Sequence, residues 1–230
     1  NQPIPAQDIT ATLESLNKGN RITVPYTMWD MADDVVAVLD ALGIEEANVA
    51  GASMGGYIAR WIAIRHPERV TSLQVIMSGS GAGRLDDAPQ LDREVTGRLA
   101  EMATYRDRPV AIDYHTKLWK WLWGAGYPFE AEWVTTRVAF AYDRSYRPEG
   151  IARQILAVIA TESLWSAQAA IQCPTLVIHG NEDPCFGPAH GQAIAKGIPG
   201  ARLWLDPKMG HTFHRAQWQE MAERAAVLAN

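Results

Sequence analysis

Gly51-Ala52-Ser53-Met54-Gly55-Gly56 follows the short run Ala47-Asn48-Val49-Ala50 and opens the helical pattern Tyr57-Ile58-Ala59-Arg60-Trp61-Ile62-Ala63. Strand, G-x-S-x-G and helix in that order predict a sharp turn with a serine at its apex. Small residues two before and two after the serine leave room for backbone to pass close by. The turn lifts Ser53 Oγ clear of the sheet and sets the Met54 N–H where a developing oxyanion would lie. The bland alternative is a small-residue strand-to-helix turn with no chemistry.

A serine hydroxyl is a weak nucleophile without a base, and the base needs a third group to orient it. In this chain order the acid follows the serine and the histidine comes last. Pro174-Thr175-Leu176-Val177-Ile178-His179-Gly180 reads as a buried strand entering the loop Asn181-Glu182-Asp183-Pro184. Ala201-Arg202-Leu203-Trp204-Leu205-Asp206 reads as the next strand, ending in Pro207-Lys208-Met209-Gly210-His211. Asp183 is the expected orienting acid and His211 the expected base. Glu182 is the neighbouring alternative, but Asp-Pro favours a tight turn that aims a short carboxylate. Asp86 and Asp87 are weaker acid candidates. His214, three residues after His211, is expected to cap or pack rather than act.

The order GASMGG, LVIHGNEDP, PKMGH resembles the α/β-hydrolase superfamily. Within it, the chain looks most similar to the aclacinomycin methylesterase-like esterase branch, on residues 30–44 before the elbow and on Gly124-Ala125-Gly126-Tyr127-Pro128-Phe129-Glu130. The resemblance covers residues 27–230 and implies an α/β fold, a mostly parallel sheet flanked by helices with an inserted helical cap. By motif position the family's nucleophile falls on Ser53, its acid on Asp183 and its base on His211. It also implies acyl transfer without a cofactor.

The chain departs from the family at its start. The usual fold has four strands and a helix before the helix expected from Trp29, and only 28 residues precede that point. Residues 1–26, with Pro3, Pro5, Gly19 and Pro25, read as a loop in which Arg21-Ile22-Thr23-Val24 is at most a short extended piece. The difference is roughly 60–90 residues by the usual size of βα units. In the family a second oxyanion donor comes from a loop after an early strand. His179-Gly180 cannot replace it, because it leads into the acid loop. The expectation is therefore a companion polypeptide, as in a proteolytically matured two-chain enzyme, or a second copy along an exposed sheet edge. A fragment and a reduced member without activity are the alternatives.

Two core blocks are expected, 1–83 and 166–230, with a helical cap over 84–165. The helix from Trp29 places Met31, Val35, Val38, Leu39 and Leu42 at helical spacing and stops at Gly43. The closing helix, about 215–229, carries Trp218, Met221, Ala225 and Leu228 on one face. In the cap segment Trp119, Trp121 and Trp123 diverge by about 200° per step, so they do not share a face. They are the expected substrate-lining residues, with cap-to-core packing as the alternative.

A net charge of −5 argues against a general nucleic-acid or anionic-membrane binder. No run approaches the length of a transmembrane span. Cys173 and Cys185 match neither a redox nor a zinc spacing and read as free thiols, with cytoplasmic residence the simplest inference. The six histidines form no metal motif, and no metal is expected. The competing functional class is a hydrolase-like binding module with little turnover. Carbon–carbon bond hydrolysis, perhydrolysis and lactone opening share the same constellation.

Overall fold

The computed structural model of the protein describes residues 23–81, 89 and 93–229. Four strands form one parallel sheet in chain order: β1 (Ala47–Ala52), β2 (Val70–Ile76), β3 (Thr175–Gly180) and β4 (Arg202–Asp206). A parallel sheet with helices on its faces buries its inner strands on both sides, so they read as continuous apolar runs. β3 obeys this rule: all of Thr-Leu-Val-Ile-His-Gly is buried, including the one residue that could ionise. β1 and β4, which each pair on one side only among the described residues, alternate or expose their first residues.

The helices in chain order are α1 (Met28–Ala41), α2 (Met54–Arg65), α3 (Arg93–Glu101), α4 (Arg108–Leu122), α5 (Ala131–Ser145), α6 (Pro148–Ala160), α7 (Pro188–Gly197) and α8 (Trp218–Ala229). α2 begins immediately after the elbow serine and closes at His66, whose N–H bonds the Ile62 carbonyl and whose Nε2 lies 2.7 Å from Asp33. The following Pro67 has no N–H to extend the ladder.

Two compact units divide the chain. One holds the described residues of Asn1–Thr27, Asp92–Leu122 and Pro128–Thr161; the other holds those of Met28–Leu91, Trp123–Tyr127 and Glu162–Asn230. Residues 123–127 and 162–165 thus group with the sheet rather than with the helical unit: Gly124 and Gly126 sit against the backbone of Glu182 and Lys208, and Ser163 and Leu164 bond the Gly81 carbonyl. Three tyrosines of the helical unit pack within it, while Trp119 and Phe140 are exposed. Tyr114 and Tyr146 hydroxyls donate to the Arg98 and Met102 carbonyls. Tyr142 stacks on Tyr146, and a bidentate Arg108–Asp143 pair joins α4 to α5.

Two helix faces differ from expectation. α1 turns Met28, Ala32 and Val36 inward, while Val35, Val38 and Leu42 are exposed among the described residues. Trp29 packs edge-on against Trp61, so an aromatic pair and small residues set the α1–α2 approach rather than the larger aliphatic stripe. On α8, Met221 and Leu228 are buried but Trp218 is exposed, its indole N–H donating to the Phe213 carbonyl. Of the short extended piece expected over 21–24, Thr23 and Val24 carry no strand and the rest lies outside the described residues, as do Asp86 and Asp87.

Candidate active site

Ser53, Asp183 and His211 each follow the carboxyl end of a strand, the edge where open α/β sheets gather their ligands. Ser53 has φ 53° and ψ −118°, a conformation L-residues rarely hold. The surroundings enforce it. Ser53 N–H donates to the Ile76 carbonyl at 2.9 Å, its own carbonyl accepts the Gly56 N–H at 2.9 Å, and the Ser78 hydroxyl donates to that same carbonyl at 2.9 Å. Just past β2 a second left-handed residue, Met77 at φ 41°, turns the chain toward Ser78. Met54 is the first residue of α2, where the helix supplies no carbonyl partner for its N–H.

The glycine pattern acts differently from expectation. A Cβ on Gly51 would meet the Gly55 carbonyl oxygen at 2.0 Å, and one on Gly56 would meet Ser78 Oγ at 2.6 Å, whereas Gly55 has open space. Backbone crosses backbone at Gly51, and helix meets strand exit at Gly56; Gly55 only lends its carbonyl to the crossing. Gly51→Ala is expected to cost about 1–3 kcal/mol by overpacking. Gly55→Ala is expected to be neutral or to gain up to about 1 kcal/mol from helix propensity. Urea denaturation of the two variants checks the contrast.

Asp183 lies in an Asx turn. Its Oδ1 accepts the N–H groups of Cys185 and Phe186, both at 2.8 Å. That leaves Oδ2 for His211 Nδ1 at 2.8 Å, and His211 Nε2 lies 2.9 Å from Ser53 Oγ. Asp183 and His211 are buried, and the Phe186 ring lies 5.6 Å from the His211 ring. Low dielectric strengthens such a chain of bonds. It can carry a proton from the serine to the imidazole while the carboxylate balances the charge.

Asp206 builds the loop of His211 in the same way. Its Oδ1 accepts the Lys208 and Met209 N–H groups at 2.7 and 2.9 Å, and its Oδ2 accepts Gln217 Nε2 at 2.7 Å. His214 is buried, accepts the Gly210 N–H at Nε2, and packs its ring against Trp123 and Tyr127. It supports the His211 loop from behind. Arg60, on α2, is wholly buried and donates to the carbonyls of Gly56, Gly79 and Ser80 and to Gln168 Oε1. All four acceptors are neutral, and burial pushes the guanidinium down to about 10. It ties α2 to the exit of β2 beside Ser78. None of Asp206, Arg60 or Ser78 was assigned a part from sequence, although Asp206-Pro207 repeats the Asp-Pro signal of the acid.

The three tryptophans separate as their spacing requires. Trp119 is exposed, Trp121 lies under the Arg98 guanidinium, and Trp123 is buried edge-on against His214. Glu182 offers its N–H to the Met209 carbonyl, bridging the acid and base loops through backbone. Both cysteines are free. Burial pushes the Cys185 and Cys173 thiols up, away from the thiolate form that reacts. Among the described residues no helix is long and apolar enough to cross a membrane, and no group of three or more His, Cys, Asp or Glu side chains could hold a metal ion.

Residues 12–214 match the alpha/beta hydrolase fold family, and the chain belongs to that family. It is 28% identical over 221 residues to the rhodomycin D methylesterase DnrP of Streptomyces peucetius, covering 90% of this chain and 74% of that one. This similarity relates it to the methylesterase branch that its motifs resemble. It is 34% identical over 189 residues to a 2-hydroxymuconate semialdehyde hydrolase of Pseudomonas sp. (strain CF600), covering 78% of this chain and 60% of the relative. A hydrolase from Pseudomonas aeruginosa PA01 has the same fold, with a TM-score of 0.67 at 25% identity over 89% of this chain and 72% of that chain.

Proposed function

We propose that the protein is a serine carboxylesterase acting on small hydrophobic or aromatic esters. The observation that carries this reading is the unbroken bond chain from Ser53 Oγ through His211 to Asp183, at 2.9 and 2.8 Å. Ser53 Oγ attacks the ester carbonyl while His211 Nε2 takes its proton. Asp183 holds the imidazole in the Nδ1–H tautomer and stabilises the imidazolium. The Met54 N–H receives the oxyanion. His211 then protonates the leaving alcohol, and later takes a proton from the water that releases the acid. The Phe186 ring beside His211 supports an apolar substrate group at this end.

A further strand beside β1, which pairs on one side only among the described residues, belongs to the same proposal, from a companion polypeptide or another copy, since it would bring the second oxyanion donor that those residues leave unassigned. Carbon–carbon bond hydrolysis is the second reading, favoured by the 34% identity to the 2-hydroxymuconate semialdehyde hydrolase.

p-Nitrophenyl esters of graded acyl length, assayed beside a 2-hydroxy-6-oxo-dienoate, separate the two. The expected result is burst kinetics on the esters with the dienoate turned over more slowly. Turnover confined to the dienoate would replace esterase with carbon–carbon hydrolase; binding of both without turnover would leave a ligand-binding module.

A further inference from the structure

His179 takes no part in the proton transfers above, yet it lies against the acid. It is fully buried at the end of β3, four residues before Asp183. Its Nε2 is 2.7 Å from the Phe186 carbonyl oxygen and 3.8 Å from Asp183 Oδ2. Its Nδ1 has no hydrogen-bond partner among the described residues. A carbonyl only accepts, so the network assigns the proton to Nε2. A second proton at Nδ1 would leave a bare N–H in the core. Burial accordingly holds this imidazole below its ordinary range, outweighing the Phe186 carbonyl and Asp183, which pull the other way.

The neutral ring completes a clamp. Phe186 is gripped from both sides: its N–H by Asp183 Oδ1, its carbonyl by His179. Of the charges acting on the ring, Asp183 raises its basicity and His211 lowers it. On α7 Gly191 lies against the ring: a Cβ there would stand 2.6 Å from His179 Cβ and 2.9 Å from Nδ1. The ring fills the space that a side chain at residue 191 would need.

We propose that His179 is a positioning residue for the acid: its Nε2–H clamps the Phe186 carbonyl and so holds the turn that aims Asp183 Oδ2 at His211. This rests on the reading of Asp183 as the orienting acid. A glutamine here keeps an N–H donor at similar reach, and a leucine keeps bulk alone. His179→Leu is expected to lower kcat about tenfold with KM nearly unchanged, the rate equivalent of one buried hydrogen bond. His179→Gln is expected to restore most of it. In proton NMR spectra the downfield His211 Nδ1–H signal is expected to shift or exchange faster in His179→Leu, and less so in His179→Gln.

Nitrogen-15 spectra of the unaltered protein test the premise without any variant, by showing His179 as the Nε2–H tautomer wherever the protein is folded. An Nδ1–H tautomer would overturn the proposal. So would a His179→Leu protein with unchanged kcat and an unchanged His211 signal, or a folded His179→Gln protein as impaired as the leucine variant. If His179→Leu does not fold, Gly191→Ala, which crowds the ring and removes no polar group, is expected to move the same His211 signal; an unmoved signal would overturn the proposal. Failure of the underlying reading looks different: Asp183→Asn itself would then leave both kcat and the His211 signal unchanged.

Discussion

Replacing Ser53 with alanine is expected to lower ester turnover by about 10⁶-fold, to the level left by binding and oxyanion contacts alone. The size follows from what the substitution removes. Ser53 Oγ is the atom 2.9 Å from His211 Nε2, and without it the base has no nucleophile to deprotonate. Little else changes. The left-handed backbone at residue 53 is held by the Ile76 carbonyl, the Gly56 N–H and the Ser78 hydroxyl, none of which uses the Ser53 side chain. Alanine tolerates that conformation no worse than serine. Folding, KM-like ligand affinity and the Met54 N–H should therefore persist while kcat collapses. Steady-state kinetics beside calorimetric binding of a product acid checks both halves. Equal turnover by wild type and variant would place the chemistry elsewhere.

Asp183→Asn is expected to cost about 10⁴-fold in kcat, and its mechanism can be traced atom by atom. Oδ1 accepts two backbone N–H groups, from Cys185 and Phe186. An asparagine must therefore keep its carbonyl oxygen on that side, and its NH2 faces His211 Nδ1. An amide NH2 donates, so His211 is driven to the Nε2–H tautomer, and Nε2 then cannot accept the serine proton. Asp206→Asn is the control. Its Oδ1 is fixed by the same two-amide turn, but its other oxygen faces Gln217, whose Oε1 has no partner among the described residues. A flip of the Gln217 amide accommodates the new NH2, so kcat is expected to fall by less than about tenfold, on the scale of one hydrogen bond. Loss of comparable size in both variants would mean that Asp183 serves the loop and not the imidazole.

The two aspartates also show what could and could not be read from the chain. Each expected catalytic position follows a strand that apolar runs make visible, so Ser53, Asp183 and His211 were legible as ends of β1, β3 and β4. Asp-Pro marks a turn whose carboxylate caps its own backbone, and both Asp183 and Asp206 satisfy it. Which one has its second oxygen turned to an imidazole depends on how separate loops meet in space, and no local pattern encodes that. The histidines divide in the same way. His211 and His214 lie three residues apart on one loop, yet one faces Ser53 and the other Trp123. His179 sits in a run that reads only as core. Its ring reaches the acid turn because side chains alternate along a strand and because Gly191 leaves space behind it. The exposed stripe on α1 failed for a different reason: periodicity finds an apolar face but does not say which neighbour a helix meets, and Trp29 against Trp61 decided that.

Covalent labelling shows whether Ser53 is a nucleophile activated by His211. The protein is treated with a fluorophosphonate probe, its intact mass is recorded, and the adduct is mapped by peptide sequencing. One adduct on Ser53, absent from Ser53→Ala and strongly slowed in Asp183→Asn, is the predicted result. A folded protein that takes up no probe, or that carries it on another residue while Ser53 stays free, would contradict the account.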